Sequence, residues 1–467
     1  MKWRATAPST SLRVNGWGAW LVACIALLAG APALAWNSHS FASYRALERM
    51  PELANTQPIH AEPLDDFLKS EERALEALLA SQEAWANANL APAYPVRPAA
   101  LAFKADAARG DAARRQAFLR ALRVAPDSRF ALYLQPDPQA APDPSLPPLP
   151  YSAVNTLPEP ANNTSTRFVA LRPGQPVSPL AVVATATQEP DFGLDINLFE
   201  DSPSEWGKAY GFGKLPFGNP AVNFSTQAPF HMGFYHQDRV LYMAAPFLKR
   251  TFPALRAYQY ATLAALAFRT GHPYWGWRFA GMSLHYVQDL TQPYHASLAP
   301  GQGTAKLIGI NTLAMVGFPK AKKEMVTLLS NQHLALEKYQ AELVLAAALA
   351  HQDTPVIQAL RDASKDARYP AWTTLYPRDV VAAEAASHAD ALVAVLLDAM
   401  PAAYVSDPAF DLGASDAKIS LSAEMAKQPQ PKRAALDASI AELLGHFGAH
   451  SRNALRAILV AGGMARF

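Results

Sequence analysis

The chain has 467 residues, of which 50% are hydrophobic, so it is long enough to bury a sizeable core. Its formal net charge is only +2, with basic and acidic residues interspersed, which excludes a bulk electrostatic footprint for duplex nucleic acid. The single cysteine, Cys24, excludes a disulfide framework. We therefore expect the hydrophobic core, or bound metal, to stabilise the protein.

Residues 1–35 have the pattern of a secretory signal peptide. Basic residues precede an apolar run over 17–28, and the small-x-small sequence Ala-Leu-Ala occupies 33–35. The run is too short, and too closely followed by polar sequence, for a transmembrane span. The pattern predicts export, to the periplasm or the medium, with Trp36 as the first mature residue. Lipid attachment at Cys24 is the alternative, which the continuation of the apolar run disfavours.

Helical periodicity dominates most of the remaining chain, and it predicts a mostly α fold. The expected helices cover residues 64–85, 98–124, 254–270, 274–290, 320–350, 378–400 and 434–459. Residues 136–160 are rich in proline and are expected to form an extended, irregular surface segment. In 169–183, β-branched runs are broken by prolines, so we expect at most a short hairpin there.

One run contains more potential chemistry than any other: His-Tyr-Val-Gln-Asp-Leu-Thr-Gln-Pro-Tyr-His, which starts at His285. His285 and Asp289 project from the same helix face, and His295 follows just beyond the proline, where a helix bends. His333 and Glu337 repeat the four-residue offset on another predicted helix. Zinc binds imidazole and carboxylate groups of this kind inside helical bundles, so the sequence predicts a multinuclear metal site. A plain hydrogen-bond network is the structural alternative.

The stretch from Gly281 to His295 resembles the signature of the zinc-dependent phospholipase C and P1 nuclease superfamily. The spacing, the Gln-Pro element and the preceding apolar helix all match. In that family the mature chain begins with a tryptophan whose amino group and carbonyl chelate zinc, and Trp36 would hold that place. His39, in an Asn-Ser-His context, resembles the phospholipase version of the histidine that follows.

The family also has an aspartate in a Pro-Asp-aromatic context, followed by a histidine beside aromatic residues. Asp191 and His231 match these descriptions. Asp195 and His236 are near alternatives, and His236 has the closer sequence distance to the central motif. The apolar context before His231 favours that residue as a buried ligand.

The resemblance implies three zinc ions per chain. The implied ligands, grouped by ion, are Asp191, His231, His285 and Asp289; His295, His333 and Glu337; and Trp36, His39 and Asp289. Asp289 would therefore bridge two ions. Asp191 would have a catalytic role as well, in orienting or deprotonating the attacking water.

The function implied by the resemblance is an exported zinc-dependent hydrolase of phosphoric ester bonds, which acts through zinc-activated water. Phospholipase C is favoured, since the Asn-Ser-His context and the pair Asp191-Phe192 resemble that branch, where Phe192 would enclose a cationic headgroup. A P1-like single-strand nuclease and a phosphomonoesterase are the enzymatic alternatives. A non-catalytic exported zinc-binding protein is the alternative from another class. The expected partner is a phospholipid headgroup or single-stranded nucleic acid, with transient membrane contact and no obligate protein partner.

The resulting organisation is a signal peptide (1–35), a catalytic domain (36–405) and a C-terminal helical appendage (406–467). The catalytic domain would be a multi-helix bundle around a trinuclear zinc site. Residues 50–185 form an insertion relative to small family members, and we expect it to cap the cleft and restrict substrate size. The other histidines that lack a partner at ligand spacing are expected to be exposed or structural: His60, His272, His351, His388, His446 and His450.

Overall fold

The computed structural model describes residues 38–54, 56–160, 163, 166–220, 222–415 and 418–464. The signal peptide, Cys24 and Trp36 lie outside these described residues. In the described part, α-helices dominate and each β-strand has only two or three residues, which confirms the mostly α fold.

The helices fall into two sets along the chain. Those before residue 250 are α1 (His39–Leu47), α2 (Pro51–Ala54), α3 (Leu64–Ser70), α4 (Glu72–Asn89), α5 (Asp111–Leu122), α6 (Pro179–Ala186), α7 (Glu205–Tyr210), α8 (Ala228–His231) and α9 (Arg239–Ala244). Those after it are α10 (Pro253–Arg269), α11 (Pro273–Asp289), α12 (Pro293–Ala296), α13 (Thr304–Met315), α14 (Lys320–Leu349), α15 (Pro355–Arg361), α16 (Ala382–Ala399), α17 (Ala402–Val405), α18 (Leu412–Ser415), α19 (Leu421–Met425) and α20 (Gln430–Ala461).

The short elements between these helices are 3-10 turns and small strands. The 3-10 turns are Ala99–Leu101, Tyr151–Ala153, Glu189–Phe192, Asn223–Gln227, Pro246–Lys249 and Asp366–Arg368, and Pro377–Val381 is a π-helical turn that leads into α16. The strands are β1 (Ile59–His60), β2 (Tyr133–Leu134), β3 (Pro148–Leu149), β4 (Phe168–Ala170) and β5 (Pro176–Val177). β1 pairs antiparallel with β5, and the other three form an antiparallel sheet in the order β2-β4-β3.

Two of the predicted helices differ from the observed ones. The helix expected over 64–85 is broken between α3 and α4, where the Ser70 hydroxyl donates to the Phe67 carbonyl and competes with helix continuation. The helix expected over 98–124 begins only at Asp111, after Gly110 in an extended conformation. A side-chain hydrogen bond at Ser70 and an extended residue at Gly110 therefore mark these boundaries, which the hydrophobic period did not predict.

The segment 169–183, expected to form at most a short hairpin, forms none: β4 pairs with β2 and β3, and β5 pairs with β1. Beyond residue 178 the expectation is wrong, because a helix forms there. Pro179 occupies the first turn of α6, where its fixed φ suits a helix and its missing N–H is not needed. The proline segment is mostly irregular, as predicted. Its one strand, β3, lies at a sheet edge, the position that tolerates a proline such as Pro148.

The site-bearing helix α11 lies at the centre of the core. Every residue from Tyr274 to Asp289 is buried, and α11 packs against α6, α10 and α20. The contact with α6 depends on Gly281, because a Cβ there would collide with the Val183 carbonyl and the Ala186 side chain. The last helix, α20, thus packs directly on the helix that carries the central motif.

One helical stretch of the described residues, Pro377–Ala399, is long and apolar enough to cross a membrane by length and composition, with a mean hydropathy of 1.7. Within it, the buried residues of α16 recur at three- and four-residue spacing, the pattern of a helix with one core face. The helix packs against α12 and α20.

Candidate metal centre

The end of α11 carries the first two candidate ligands. His285 and Asp289 lie one turn apart on the same face, with His285 Nε2 3.2 Å from Asp289 Oδ2. The Nδ1 of His285 lies 2.7 Å from the carbonyl oxygen of Thr187, to which it donates. The lone pair of the imidazole is therefore on Nε2, directed towards Asp289.

The Gln-Pro element has a double role in the turn after α11. Gln292 Oε1 accepts from the backbone N–H of Tyr294 at 2.5 Å and caps α12, whose first residue is Pro293. Its Nε2 donates to Glu337 Oε1 at 3.1 Å. One side chain thus fixes both the helix that carries His295 and a carboxylate on α14.

His295, His333 and Glu337 meet where α12 faces α14. Glu337 Oε1 lies 2.8 Å from His333 Nε2 and 3.4 Å from His295 Nε2. The Nδ1 of His295 lies 3.0 Å from the His231 carbonyl oxygen and donates to it, so that its Nε2 is free to accept or coordinate. This group is the one that the four-residue offset of His333 and Glu337 predicted.

His39 enters the cluster from the first turn of α1, a helix in which all nine residues are buried. Its Nε2 lies 3.2 Å from Asp289 Oδ1, and its Nδ1 lies 2.8 Å from Gln288 Oε1. Trp36, the ligand expected beside His39, lies outside the described residues.

The two aspartates left open by the sequence have different environments. Asp191 Oδ2 accepts from Gln188 Nε2 at 2.7 Å, and Asp191 Oδ1 lies 3.8 Å from both His231 Nδ1 and His285 Nε2. Asp195 is instead occupied by a fully buried ion pair with Arg256, at 2.7 Å. Asp195 Oδ2 also lies 3.7 Å from His231 Nε2, but it accepts from the Tyr286 hydroxyl at 2.6 Å. Both oxygens of Asp195 therefore have protein partners, whereas Asp191 Oδ1 has none and belongs to a group of potential ligands.

The two candidate histidines are also separated. His231 Nδ1 lies 2.9 Å from Asp289 Oδ2 and 3.0 Å from His285 Nε2, and the side chain is buried. His236 is exposed, and its Nε2 lies 2.7 Å from the carbonyl oxygen of Arg378, away from the cluster. The structure therefore brings His231 into the candidate centre and leaves His236 outside it.

Three groups of side chains in this region offer ligand atoms that lie within 4.8 Å of one another. They are His39, His285 and Asp289; Asp191, His231 and His285; and His295, His333 and Glu337. Asp289 is close to a histidine from each group, since its Oδ1 also lies 3.9 Å from His295 Nδ1. Such groups are able to bind metal ions, and Asp289 lies between them.

Unpaired buried atoms test whether this cluster suits a cation. Buried polar atoms normally have a hydrogen-bond partner, and those without one call for a physical reason. Six buried atoms of the cluster have none: His39 Nε2, Asp191 Oδ1, His231 Nε2, Asp289 Oδ1, His295 Nε2 and Glu337 Oε2. All six are nitrogen or oxygen atoms of the kind that zinc binds, so the donor set fits a metal better than a closed hydrogen-bond network.

The ionisable groups of the cluster shift one another's pKa values. Burial alone would raise the pKa of Asp289. The charge of His285, together with hydrogen bonds from His231, His285 and His39, instead holds that pKa well below its ordinary value. Burial would likewise raise the pKa of Glu337, but the nearby imidazoles of His333 and His295 have the larger effect, so this pKa is lowered. For Asp191, burial dominates and the pKa is raised. The lowered pKa values favour the anionic forms of Asp289 and Glu337, which are the forms that bind a divalent cation.

A fourth group of potential ligands lies between α16 and α20 and consists of His388, Glu442 and His446. The expectation that His388 and His446 lack a partner at ligand spacing is wrong, because Glu442 is four residues before His446 and Glu384 is four before His388. Glu384 Oε2 lies 2.9 Å from His450 Nε2 and 3.6 Å from His446 Nδ1. No atom of this group is among the unpaired buried atoms found in the described residues, and Glu442 is exposed. It therefore suits a metal less well than the main cluster.

Phe192 does not have the environment that its predicted role requires. The ring is 7% exposed and packs edge-to-face on Phe168 at a centroid distance of 5.4 Å, within a small apolar cluster that includes Tyr133 and Val154. A ring enclosed in this way is not available to enclose a cationic headgroup. The argument from Phe192 for the phospholipase branch therefore fails.

Comparisons with family models, curated proteins and solved structures give no significant match to this chain.

Proposed function

We propose that the protein is an exported zinc-dependent hydrolase of phosphoric ester bonds. The Asn-Ser-His context of His39 is the remaining feature that favours the phospholipase C type over the nuclease and phosphomonoesterase. The observation that carries the proposal is the arrangement of His39, His285 and His295. Each donates its Nδ1 proton to an oxygen acceptor and directs Nε2 towards Asp289 or Glu337. Metal-binding histidines are oriented by hydrogen bonds of this kind from the opposite ring nitrogen.

Zinc suits the donor set because it takes imidazole nitrogen and carboxylate oxygen without a requirement for sulfur. The proposed ligands of three ions are the nine residues named from the sequence, including Trp36. When bound, zinc supplies Lewis acidity that lowers the pKa of water to about 7 and polarises a phosphoryl oxygen. No protein nucleophile is then required.

The chain's own residues would position the reactants. Asp191 is held through Oδ2 by Gln188, and its unpaired Oδ1 is available to accept a hydrogen bond from the attacking water. The water oxygen forms a bond to phosphorus, the bond from phosphorus to the leaving oxygen breaks, and the departing alcohol takes up a proton. Water thereby converts the ester to a phosphate product and an alcohol.

The insertion would restrict the space beside Asp191. The backbone N–H and the hydroxyl of Thr156 both donate to the Phe192 carbonyl, at 3.1 and 3.2 Å. The charge of Asp191 contributes, after burial, to raising the pKa of Tyr151 to about 12, which reflects how close the insertion lies. We propose that this segment covers one side of the centre and limits substrate size.

Three substrates and a chelator test the proposal. The purified protein would be incubated with phosphatidylcholine, single-stranded DNA and a phosphomonoester, before and after metal removal and again after zinc is restored. We expect turnover of phosphatidylcholine that the chelator abolishes and zinc restores. Cleavage of DNA or of the monoester alone would instead identify the nuclease or phosphomonoesterase, and no turnover with full zinc would identify a non-catalytic zinc-binding protein.

Two histidines five residues apart provide a matched pair of variants. His231→Gln should abolish turnover and reduce the metal content, because His231 contacts Asp289 and His285. His236→Gln should leave both unchanged, because His236 is exposed and contacts a backbone carbonyl elsewhere. Equal effects of the two substitutions would contradict the proposed centre.

A further inference from the structure

Exposed apolar side chains are concentrated in one region. Among the described residues, eleven large hydrophobic side chains are exposed, and six of them come from two neighbouring segments. We call these six the apolar surface: Val240, Met243, Leu313, Met315, Val316 and Phe318. Met243 is 76% exposed and Phe318 is 66% exposed. Single exposed apolar residues are ordinary, but a group from contacting helices, here α9 and α13, indicates an interaction surface.

Helix α13 is unusual in its composition for a helix on the protein surface. Seven of its twelve residues are Ala, Leu, Ile or Met, yet none of the twelve is buried. A cavity of about 60 Å³ separates it from the protein body and is lined by apolar side chains that include Leu241, Leu298 and Leu307. Apolar helices are normally covered by core, partner or lipid, so α13 has more apolar surface than the protein itself covers.

The charge around α13 indicates what covers it. From Asp289 to Glu324 the sequence has no acidic residue, and Lys306, Lys320 and Lys323 are exposed along this stretch. Lys320 has only a distant partner, with its Nζ 3.8 Å from Glu324 Oε1 at the end of the stretch. On the α9 side, Asp238 accepts a hydrogen bond from the Thr304 hydroxyl at 3.2 Å, so one carboxylate lies at the start of α13. The three exposed lysines outnumber it, and apolar side chains beside such lysines match the interface of an anionic bilayer, where the apolar groups insert and the ammonium groups contact phosphates.

Two residues that line the cavity beneath α13 are close in sequence to ligands of the candidate centre. Leu298 lines the cavity beneath α13 and is three residues beyond His295. Met325 lines the same cavity and is eight residues before His333 on α14, a rise of about 12 Å along the helix. A bilayer that contacts α13 would therefore have its headgroups on the side of the protein where the second ligand group lies.

We propose that the apolar surface docks the protein on anionic phospholipid bilayers, so that its substrate is a phosphoester carried by a membrane lipid. The inference rests on the proposed hydrolase function and adds the surface through which the protein would reach a lipid substrate. The side chains of Met243 and Phe318 would enter the bilayer and provide the apolar part of the binding free energy. The lysines would contact lipid phosphates and provide the salt-dependent part.

Vesicle sedimentation tests the surface without any need for turnover. The protein would be mixed, in the presence of chelator, with vesicles of phosphatidylcholine containing phosphatidylglycerol. We expect binding that high salt weakens, and that Met243→Ser combined with Phe318→Ser reduces by about tenfold or more. The matched control is Leu349→Ser with Val460→Ser, which removes side chains that are 60% and 59% exposed elsewhere. The control should bind as the unmodified protein does, and thermal melting would verify that both variants are folded.

The possible results separate the docking surface from the hydrolase. Equal vesicle binding by the two double variants overturns the proposed docking role of the apolar surface. An unmodified protein that does not bind vesicles overturns it as well. A dimer that only Met243→Ser with Phe318→Ser dissociates, without vesicle binding, also overturns it in favour of a second copy of the chain. Vesicle binding that depends on the apolar surface, without turnover of any phosphoester, leaves the surface standing and overturns the hydrolase. Turnover of a soluble ester without vesicle binding supports the hydrolase and overturns the docking surface.

Discussion

Nδ1 of His39 lies 2.8 Å from Oε1 of Gln288. Because an amide oxygen only accepts, the imidazole proton is on Nδ1, and Nε2 keeps its lone pair towards Asp289. The amide itself is fixed, since Gln288 Nε2 donates to the hydroxyl oxygens of Ser43 and Ser451 at 2.9 and 3.1 Å. Gln288 therefore joins α1 and α20 to α11 at the candidate centre.

Substitution of this glutamine should weaken metal binding without removal of a ligand. We expect Gln288→Leu to lower zinc affinity by about 10- to 100-fold, because the His39 ring loses the acceptor that orients it. Competition with a chelating dye measures the affinity. The control is Gln82→Leu, which removes a buried glutamine bonded to Gln259 and Thr262 outside the candidate centre. Similar zinc affinities for Gln288→Leu and Gln82→Leu would argue against the orienting role.

The position of Asp289 predicts that its loss affects more than one ion. Asp289 contacts histidines of all three groups, whereas Glu337 contacts only His295 and His333 among them. We therefore expect Asp289→Asn to lower the zinc content by about two ions per chain, and Glu337→Gln to lower it by about one. Elemental analysis of the purified, zinc-loaded variants gives the counts. Equal losses from both variants would mean that Asp289 does not bridge.

The two neighbouring aspartates should separate stability from metal binding. Asp195→Asn removes one member of a fully buried ion pair and leaves Arg256 without its charge partner, so the free energy of unfolding should fall by about 3–5 kcal/mol. Asp191→Asn should lower zinc content and turnover, with a smaller loss of stability, because Asp191 Oδ1 has no protein hydrogen bond to lose. Urea unfolding and zinc analysis of both variants test this. A larger stability loss in Asp191→Asn and a larger zinc loss in Asp195→Asn would mean that Asp195 is the ligand and Asp191 the structural residue.

What could be predicted from the sequence was local. His285 with Asp289, and His333 with Glu337, lie on single helices, so their four-residue offset was enough to bring each pair together. The environment of Phe192 was not local, because the ring contacts Phe168 from a distant part of the insertion. The position of Phe192 next to Asp191 in the sequence therefore did not determine which residues its ring contacts.

The unpredicted parts depend on contacts between segments that are far apart in sequence. The sequence placed His236 closer to the central motif than His231, but the chain leaves the cluster after α8 and His236 reaches the Arg378 carbonyl. Gln292 was noted only as part of a Gln-Pro element, and its bond to Glu337 required knowledge of how α12 faces α14. The spacings Glu384 to His388 and Glu442 to His446 were visible in the sequence and were missed.

The buried histidine His446 provides a prediction about acid stability. Burial lowers its pKa to about 4, with a smaller contribution from Lys365, although the charge of Glu384 opposes the shift. An unfolded histidine takes up a proton near pH 6.5, as a rough reference. Between about pH 6.5 and 4 the unfolded state therefore binds more protons than the folded one, so this contribution to stability is present above that range and is lost as the pH falls through it.

Replacement of His446 removes that contribution. We expect the free energy of unfolding of the unmodified protein to fall by about 1–3 kcal/mol more than that of His446→Gln when the pH is lowered from about 7 to about 4.5, a range discounted for the partial exposure of the site. Urea titrations at the two pH values measure both changes, and the other ionisable groups cancel in the comparison. His60→Gln, at an exposed position, should behave as the unmodified protein does. An equal acid-induced loss in His446→Gln would show that burial of this imidazole does not oppose its protonation.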